Sequence, residues 1–554
     1  MINVSFEIKE RDLLARIGEL QTKSGVVETP ALLPVINPVV QPIAPLDMWN
    51  KFRCEAIIAN AYTIKKNFEH ETIRRGIHRV LDFPGIVMTD SGAYQILVYG
   101  AVDTTPEEIV KFQEQIGTDI GVILDVPTGW DANRERVEWN VKETLRRAKS
   151  TLNILTRDDI LWVGPVQGGR HLDLVKKSAE KIRRLPYPIY ALGSPTQVME
   201  QYHFDILVDM IMTAKMNLPP EKPLHLFGAG HPFMFALVVA MGCDLFDSAA
   251  YALYARKNRY MTDYGTIRFE KLKQLPCSCP ICSRYGVEDL RELRSDELER
   301  ALAEHNLYVC QAEIRRIKLA ISEGRLWELL ELRARSHPAL LSALYRLRHY
   351  AAYIEKHSPI IKKRGMFYLG STGLYRPEVI GYTRRIRKNY FPPAEAKILL
   401  LLPQTTVKPF HNSHWFRAAW QKIVEKIGVD ALKLHVCFYM VPFGVVPIEL
   451  DEIYPISQSD FASLDSETTT YVTDQLQNYI LEKKYAAVIL HNNSAIWKDN
   501  VVKACRKACK EMTIPFAISS KEADPWSDQA LTELIEATKR VSTYFKGKRL
   551  CRLI

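Results

Sequence analysis

The chain has 554 residues, 47% hydrophobic and 25% charged, with 74 Lys/Arg against 64 Asp/Glu and a formal net charge of +10. That composition excludes disordered, collagenous and coiled-coil classes, and at roughly 100–200 residues per domain it allows two to four domains. Ten cysteines are too few for a disulfide scaffold, and no apolar secretory segment follows Met1, so a cytoplasmic protein is expected.

The first half alternates short apolar, β-rich runs with amphipathic stretches. Candidate strands are Thr29–Val35, Ala56–Asn60, Gly85–Thr89, Gly121–Leu124, Leu161–Val166, Pro188–Leu192, Pro223–Gly228 and Leu245–Ser248. Helical patterns fall between several of them, at Pro106–Gln115, Asn133–Leu152, His171–Arg184 and Gln197–Met212. Eight strand signals in about 250 residues fit a (β/α)8 TIM barrel. The alternative, a doubly wound open sheet, lacks a GxGxxG after its first strand. Residues 223–243 contain no Asp, Glu, Lys or Arg, but two histidines, a proline and glycines break the run. It reads as a strand, a turn and a buried helix, and no membrane span is expected.

A cysteine cluster comes next, then a basic helical region from Ser295 to about Ser358 and a polar, basic connector. The chain then resumes an α/β pattern, with strands at Lys397–Leu402, Leu432–Tyr439 and Ala486–Leu490. Helices are expected at Trp415–Ile427, Thr470–Leu481, Val501–Lys510 and Asp528–Tyr544. The expected division is a barrel domain over 1–358 with a zinc subdomain at about 270–310, a connector over 359–395, and a C-terminal α/β domain over 396–554. The positive charge is local. Residues 311–400 hold 18 Lys/Arg and 7 Asp/Glu, a net +11, so the rest sums to about −1. Such a field suits a polyanion, nucleic acid above all, although a solvated basic helix face has the same composition.

In a TIM barrel the active site lies at the C-terminal ends of the strands. Here those ends read Thr89-Asp90-Ser91-Gly92, Leu124-Asp125, Val166-Gln167-Gly168-Gly169, Ala191-Leu192-Gly193-Ser194, Gly228-Ala229-Gly230-His231 and Phe246-Asp247-Ser248. One such Asp is ordinarily a helix cap or a turn residue. Three at one mouth, beside Gln-Gly-Gly, suit glycosidic-bond chemistry, in which one carboxylate attacks the anomeric carbon and another handles protons. Gln167 can read the edge of a planar base, and Gly168 and Gly169 allow close backbone approach.

Cys277-x-Cys279-x-x-Cys282 is followed by His305 after 22 residues. Three thiolates and one imidazole fill a tetrahedral shell and leave no open position, so one structural zinc per chain is expected. Cys310 is a nearby competitor for His305. Cys505 and Cys509, four apart on an expected helix, read as packing residues.

These segments resemble the archaeal tRNA-guanine transglycosylases, the 7-cyano-7-deazaguanine tRNA-ribosyltransferases of the archaeosine pathway. The resemblance lies in Asp90-Ser-Gly-Ala-Tyr-Gln95, Leu124-Asp125-Val-Pro127, Val166-Gln-Gly-Gly169, Ala191-Leu-Gly-Ser-Pro195, Phe227-Gly-Ala-Gly-His-Pro232, Leu245-Phe-Asp-Ser-Ala-Ala-Tyr251 and the zinc signature, across roughly residues 1–350. It implies replacement of guanine at position fifteen of the tRNA D arm by free 7-cyano-7-deazaguanine. Asp247 matches the nucleophile and Asp90 the general acid/base, roles that some descriptions of the family exchange. Ser91, Asp125, Gln167, Gly168, Ala191 and Gly193 match substrate-binding positions, and Tyr94 a base-stacking aromatic. A covalent aspartyl–RNA intermediate implies that no ATP or nucleotide cofactor is used.

The family commonly ends in a small PUA-type RNA-binding domain. None is legible after the α/β domain, which implies a separate PUA-containing partner or compensation by the basic region. Candidate RNA-binding residues there are Arg315, Arg316, Lys362, Lys363, Arg364, Arg384, Arg385, Arg387 and Lys388. Related enzymes are commonly homodimers. Two other readings are a non-catalytic tRNA-binding subunit and an archaeosine synthase-type paralogue. The synthase marker places a cysteine and a final histidine where this chain has Gln404 and Phe416.

Overall fold

The computed structural model describes residues 6–93, 103–462, 464–520 and 522–550, and the chain divides into two compact units, Met1–Pro359 and Ile360–Ile554. The first unit opens with a three-stranded antiparallel sheet, β1 (Phe6–Asp12), β2 (Ala15–Thr22) and β3 (Gly25–Thr29). The sequence reading assigns no strand before Thr29, because β1 buries only every second residue partly and fills the positions between with charge. Two side chains of this sheet, Leu20 and Val27, are nevertheless buried in the barrel core.

Eight parallel strands follow: β4 (Ala31–Ile36), β5 (Ala56–Asn60), β6 (Ile86–Asp90), β7 (Ile120–Val122), β8 (Leu161–Val166), β9 (Ile189–Leu192), β10 (Leu224–Leu226) and β11 (Leu245–Ser248). Each pairs with its neighbour in sequence, and β11 closes on β4 from Leu245↔Ala31 to Ser248↔Pro34. The fold is therefore the closed (β/α)8 barrel and not the open doubly wound sheet. Alternation along the strands sends Leu33, Ile58, Met88, Val122, Val163, Ala191 and Leu245 inward as one apolar core. Leu20 and Val27 join it from β2 and β3, which lead into β4, so the small sheet seals the N-terminal end. Two residues beyond Ile58, Met88 and Leu245, on the same faces, stand Asn60, Asp90 and Asp247. The strand period thus turns an apolar floor into a polar mouth.

The 223–243 run is β10, a 3-10 turn at Pro232–Met234 and a buried helix at Phe235–Ala240. No helix among the described residues is long and apolar enough to cross a membrane. The expected Gln197–Met212 helix is two helices, Thr196–Glu200 and Phe204–Asn217, broken where Tyr202 adopts φ +60°. After the barrel, an antiparallel hairpin, β12 (Arg259–Thr262) and β13 (Gly265–Arg268), precedes the cysteine cluster, and Ser295–Glu323 is one 29-residue helix.

In the second unit the strands are β14 (Met366–Tyr368), β15 (Ile398–Pro403), β16 (Leu434–Met440), β17 (Gly444–Pro447), β18 (Ser459–Phe461), β19 (Ala487–Leu490) and β20 (Phe516–Ile518). The main sheet has the order β17-β16-β15-β19-β20, parallel except for β17, and β14 pairs with β18. Residues 359–395 do not form a connector. They carry β14 and the helix Pro377–Lys388, and Met366, Tyr368, Val379, Tyr382 and Ile386 are buried in this unit's core. Cys505 and Cys509 are buried in the same core.

Candidate active site and metal cluster

A cavity of about 610 Å³ lies at the C-terminal mouth of the barrel, lined among others by Asn60, Asp90, Asp125, Gln167, Gly193 and Asp247. The three carboxylates singled out from the sequence thus face one space, and each is held differently.

Asp247 follows Leu245 on the inner face of β11. Its Oδ1 is 2.8 Å from His225 Nε2 and accepts a 3.1 Å hydrogen bond from the Gly228 backbone N–H. His225 is fully buried in the middle of β10, in register with Ala191 and Leu245. With Nε2 as donor to Asp247, its Nδ1 is buried without a hydrogen-bond partner among the described residues. Both donors stabilise negative charge on Oδ1, while Oδ2 has no hydrogen-bond partner among the described residues.

Asp90 ends β6 opposite Asn60. Asn60 Oδ1 caps the next helix by accepting from Thr63 N–H at 2.8 Å, which fixes the amide so that Nδ2 donates to Asp90 Oδ2 at 3.1 Å. Burial, reinforced by the nearby Asp125 and Asp247 carboxylates, pushes the Asp90 carboxyl up to about 7. Near neutral pH it is a proton reservoir, where an ordinary aspartate is not.

Asp125 is pushed up to about 6 by burial and held back by the Gln167 amide, whose Nε2 donates to Asp125 Oδ2. Gln167 Oε1 accepts from Ser194 Oγ at 2.9 Å, and Ser194 Oγ accepts from Thr128 N–H at 2.7 Å. This relay fixes which end of the amide is donor and which acceptor, as a reader of a base edge requires. Gly193 makes the relay possible, because a Cβ there would collide with the Gln167 amide.

The other expected substrate-binding residues are placed less directly. Ser91 is buried, and its hydroxyl has no hydrogen-bond partner among the described residues. Gly168 does not line the cavity. Its φ of +150° and its approach to the Val175 backbone make it a turn residue, and a Cβ there would collide with Val175. Ala191 is buried in the barrel core below the mouth. Tyr94 lies outside the described residues. The sequence reading missed Asn60 and His225. The available signals were a cap residue at a strand end and an imidazole inside an alternating apolar strand.

Cys277, Cys279, Cys282 and His305 come together, with their ligand atoms all within 4.8 Å of one another. His305 Nδ1 is 3.4 Å from Cys279 Sγ and 3.3 Å from Cys282 Sγ, and its Nε2 is 2.8 Å from the Met261 carbonyl oxygen. A carbonyl only accepts, so the ring proton sits on Nε2 and the Nδ1 lone pair faces the sulfurs. That arrangement is typical of a metal-ligating histidine. Tyr260 stacks on the ring at 3.7 Å. The donor set fits a tetrahedral metal ion. Cys310 is buried apart, with Met261 Sδ 3.6 Å away.

The sequence model of the family described as queuine tRNA-ribosyltransferase matches residues 12–339, the whole barrel and most of the helical extension. The chain belongs to that family. Among relatives in this family, the tRNA-guanine(15) transglycosylase of Methanocaldococcus jannaschii is 41% identical over 491 residues, 87% of this chain and 72% of the relative. The protein of the same name from Methanosphaera stadtmanae is 42% identical over 501 residues, 88% of this chain and 72% of the relative. A second family model, described as a domain of unknown function, matches residues 379–538.

In this ribosyltransferase-family chain the candidate RNA-binding residues are divided between the units. Arg315 and Arg316 belong to the first unit and the other seven to the second. Lys362 is removed from the set by the structure. Its ammonium is buried and paired with Glu378 at 2.7 Å, and Arg376 engages the same carboxylate at 3.1 Å. Arg316 pairs with Glu313 at 3.2 Å, and Arg387 bonds Glu482 at 2.9 Å. Lys363, Arg364, Arg384 and Lys388 are exposed, as is Arg315, and Arg385 is half-buried. Gln404, where a synthase would carry its cysteine, accepts a 3.0 Å hydrogen bond from Val441 N–H and serves the packing of its unit.

Proposed function

We propose that this protein exchanges guanine at position 15 of tRNA for 7-cyano-7-deazaguanine through a covalent aspartyl–RNA intermediate. The observation that carries the reading is the unequal treatment of two carboxylates at one mouth. Asp247 receives two hydrogen bonds on one oxygen, and Asp90 is pushed up to about 7. A carboxylate held by two donors beside a buried carboxyl that keeps its proton is the arrangement a nucleophile and an acid need. The substrate follows the name carried by the relatives.

In this scheme the target guanosine is flipped into the cavity, where Gln167 and Asp125 hold the edge of its base. Asp247 Oδ2 attacks the ribose C1′, the bond to guanine breaks, and Asp90 gives its proton to the departing nitrogen. Guanine leaves. Asp90 then takes the ring N–H proton of the incoming base, whose nitrogen displaces Asp247 from C1′. Two displacements retain the configuration. The ester preserves the energy of the broken bond, so the scheme needs no ATP. Asn60 steers Asp90 and His225 steers Asp247.

Incubation with guanosine-15 tRNA and labelled 7-cyano-7-deazaguanine is expected to incorporate label, and quenching mid-reaction to yield an RNA–protein adduct on denaturing gels. Incorporation without any adduct would remove the covalent step.

Replacing His225 tests its steering role. His225→Phe keeps the ring volume but loses the donor, and is expected to lower kcat by about 10–100-fold with KM for tRNA little changed. His225→Gln can again present a nitrogen donor and is expected to recover part of the rate. Equal losses in both variants would make His225 a packing residue only.

We also propose that the Cys3His cluster holds one structural zinc, with Cys277, Cys279, Cys282 and His305 as its ligands. Chelation is expected to release about one zinc per chain and to lower the melting temperature sharply, because binding to such a shell is folding free energy. A metal-free preparation with an unchanged melting curve would contradict this.

A further inference from the structure

The barrel-mouth cavity does not end at the carboxylates. It continues over Met199, Tyr202, Phe233, Tyr254 and His337, with Lys257 at its wall. At about 610 Å³ it has the size of a site for a drug-sized ligand, more than one planar base fills. The polar half, with Asp90, Asp125, Gln167 and Asp247, accounts for the reacting base. The aromatic half has no part in that chemistry.

This half is built from stacked rings. Tyr202 lies on His337 with ring centres 4.8 Å apart and planes 19° from parallel. Phe204 meets Tyr202 edge-on at 5.9 Å, and Phe233 braces both Phe204 and His337 edge-on. Phe204 and Phe233 are buried, but Tyr202 is 49% exposed. Leu253 and Tyr264, which line the same cavity, are also exposed. Apolar side chains gathered on an open cavity mark a binding surface more than a core. Tyr202 is also the middle residue of the three-residue corner between two helices, at φ +60°, a conformation that a bulky side chain adopts only when its surroundings impose it. Lys257, exposed just past the helix Ala250–Arg256, puts a cation on the wall of the same cavity.

We propose that this aromatic half is a second nucleotide subsite of the enzyme, in which a nucleotide adjoining the flipped guanosine stacks its base on Tyr202 and sets its phosphate against Lys257. The proposal rests on the function proposed above. Flipping one nucleotide unstacks its neighbours, and the chain leaving the catalytic half continues into whatever space adjoins it. A ring platform with a nearby cation is how single-stranded nucleic acid is held without sequence reading.

The test uses the full-length protein with Tyr202→Leu, which retains apolar bulk but no stacking face, and independently Lys257→Ala. Each is expected to raise KM for tRNA, about tenfold for Tyr202→Leu and less for Lys257→Ala. Neither is expected to change kcat at saturating tRNA or KM for the free base. A direct readout is tRNA carrying 2-aminopurine on either side of the target guanosine. Its fluorescence in one of the two positions should be quenched on binding wild type and not on binding Tyr202→Leu. Unchanged KM for tRNA in Lys257→Ala together with quenching equal to wild type in Tyr202→Leu would overturn the proposal. So would a rise confined to KM for the free base, which would make the aromatic half a waiting site for the incoming base. If Tyr202→Leu does not fold, Lys257→Ala and the wild-type quenching decide. Quenching reads binding alone, so a wild type that quenches but exchanges no base would refute the proposed reaction and leave the subsite standing.

Discussion

Asp247→Asn is expected to abolish base exchange, with a loss on the order of 10⁴-fold or more, as for removal of a covalent nucleophile. The substitution is close to isosteric and keeps an oxygen for His225 Nε2 and Gly228 N–H, so the mouth should keep its shape. What disappears is the anionic oxygen that forms the ester in the proposed scheme. Binding of tRNA should persist, because no other group named at the mouth is altered, while the covalent adduct disappears from denaturing gels. Undiminished exchange would move the nucleophile elsewhere, with Asp90 the next candidate.

Asp90→Asn should remove activity and add stability. The loss of exchange follows from the loss of the mouth carboxyl that holds its proton closest to neutrality, above Asp125, and is expected to be about 10²–10⁴-fold. The gain follows from linkage. The Asp90 carboxyl titrates at about 7 in the fold and at about 3.9 in an unfolded chain, so the folded state holds the proton more tightly. Stability is therefore lost as pH rises from about 4 to 7, and above 7 the whole penalty, on the order of 3–4 kcal/mol, is present. An amide carries no such penalty. Thermal melts at pH 8 should place Asp90→Asn about 5 °C above wild type, with the difference fading towards pH 4. A variant that melts below wild type at pH 8 would mean that Asp90 is not the strained member of the group. For activity, kcat should fall on the alkaline side as Asp90 loses its proton.

The barrel was legible because its strands are buried on both faces. Leu161–Val166, Leu245–Ser248 and Ala56–Asn60 stand out as apolar runs between helical patterns, with the same bounds in sequence and structure. The three carboxylates were legible for the same reason, as the first charges after such runs. His225 was not, because an imidazole between Leu224 and Leu226 reads as core, and only the pairing of β10 with β11 sets it against Asp247. Asn60 needed the pairing of β5 with β6, which no local pattern carries. Residues 359–395 misled through composition. Lys362 and Arg376 are buried cations that share Glu378 as a partner, so charge that counted as surface is core. The terminal sheet β1–β3 was hidden by the charges on its outer positions, although Leu20 and Val27 form part of the barrel core.

That small sheet has a consequence for the order of events. With Leu20 and Val27 filling the N-terminal end, the described residues give the barrel a plug at one end and a door, the cavity mouth, at the other. In the proposed scheme, while RNA is held on Asp247, the departing guanine and the incoming base must use that door in turn. Free guanine is therefore expected to compete with the new base for the RNA-loaded enzyme, and the two cannot occupy the cavity's catalytic half together. Among the described residues, the plugged end gives water no back entrance either. The protection of the ester against hydrolysis then depends on how well the RNA itself corks the mouth, which makes the substrate a wall of its own reaction chamber.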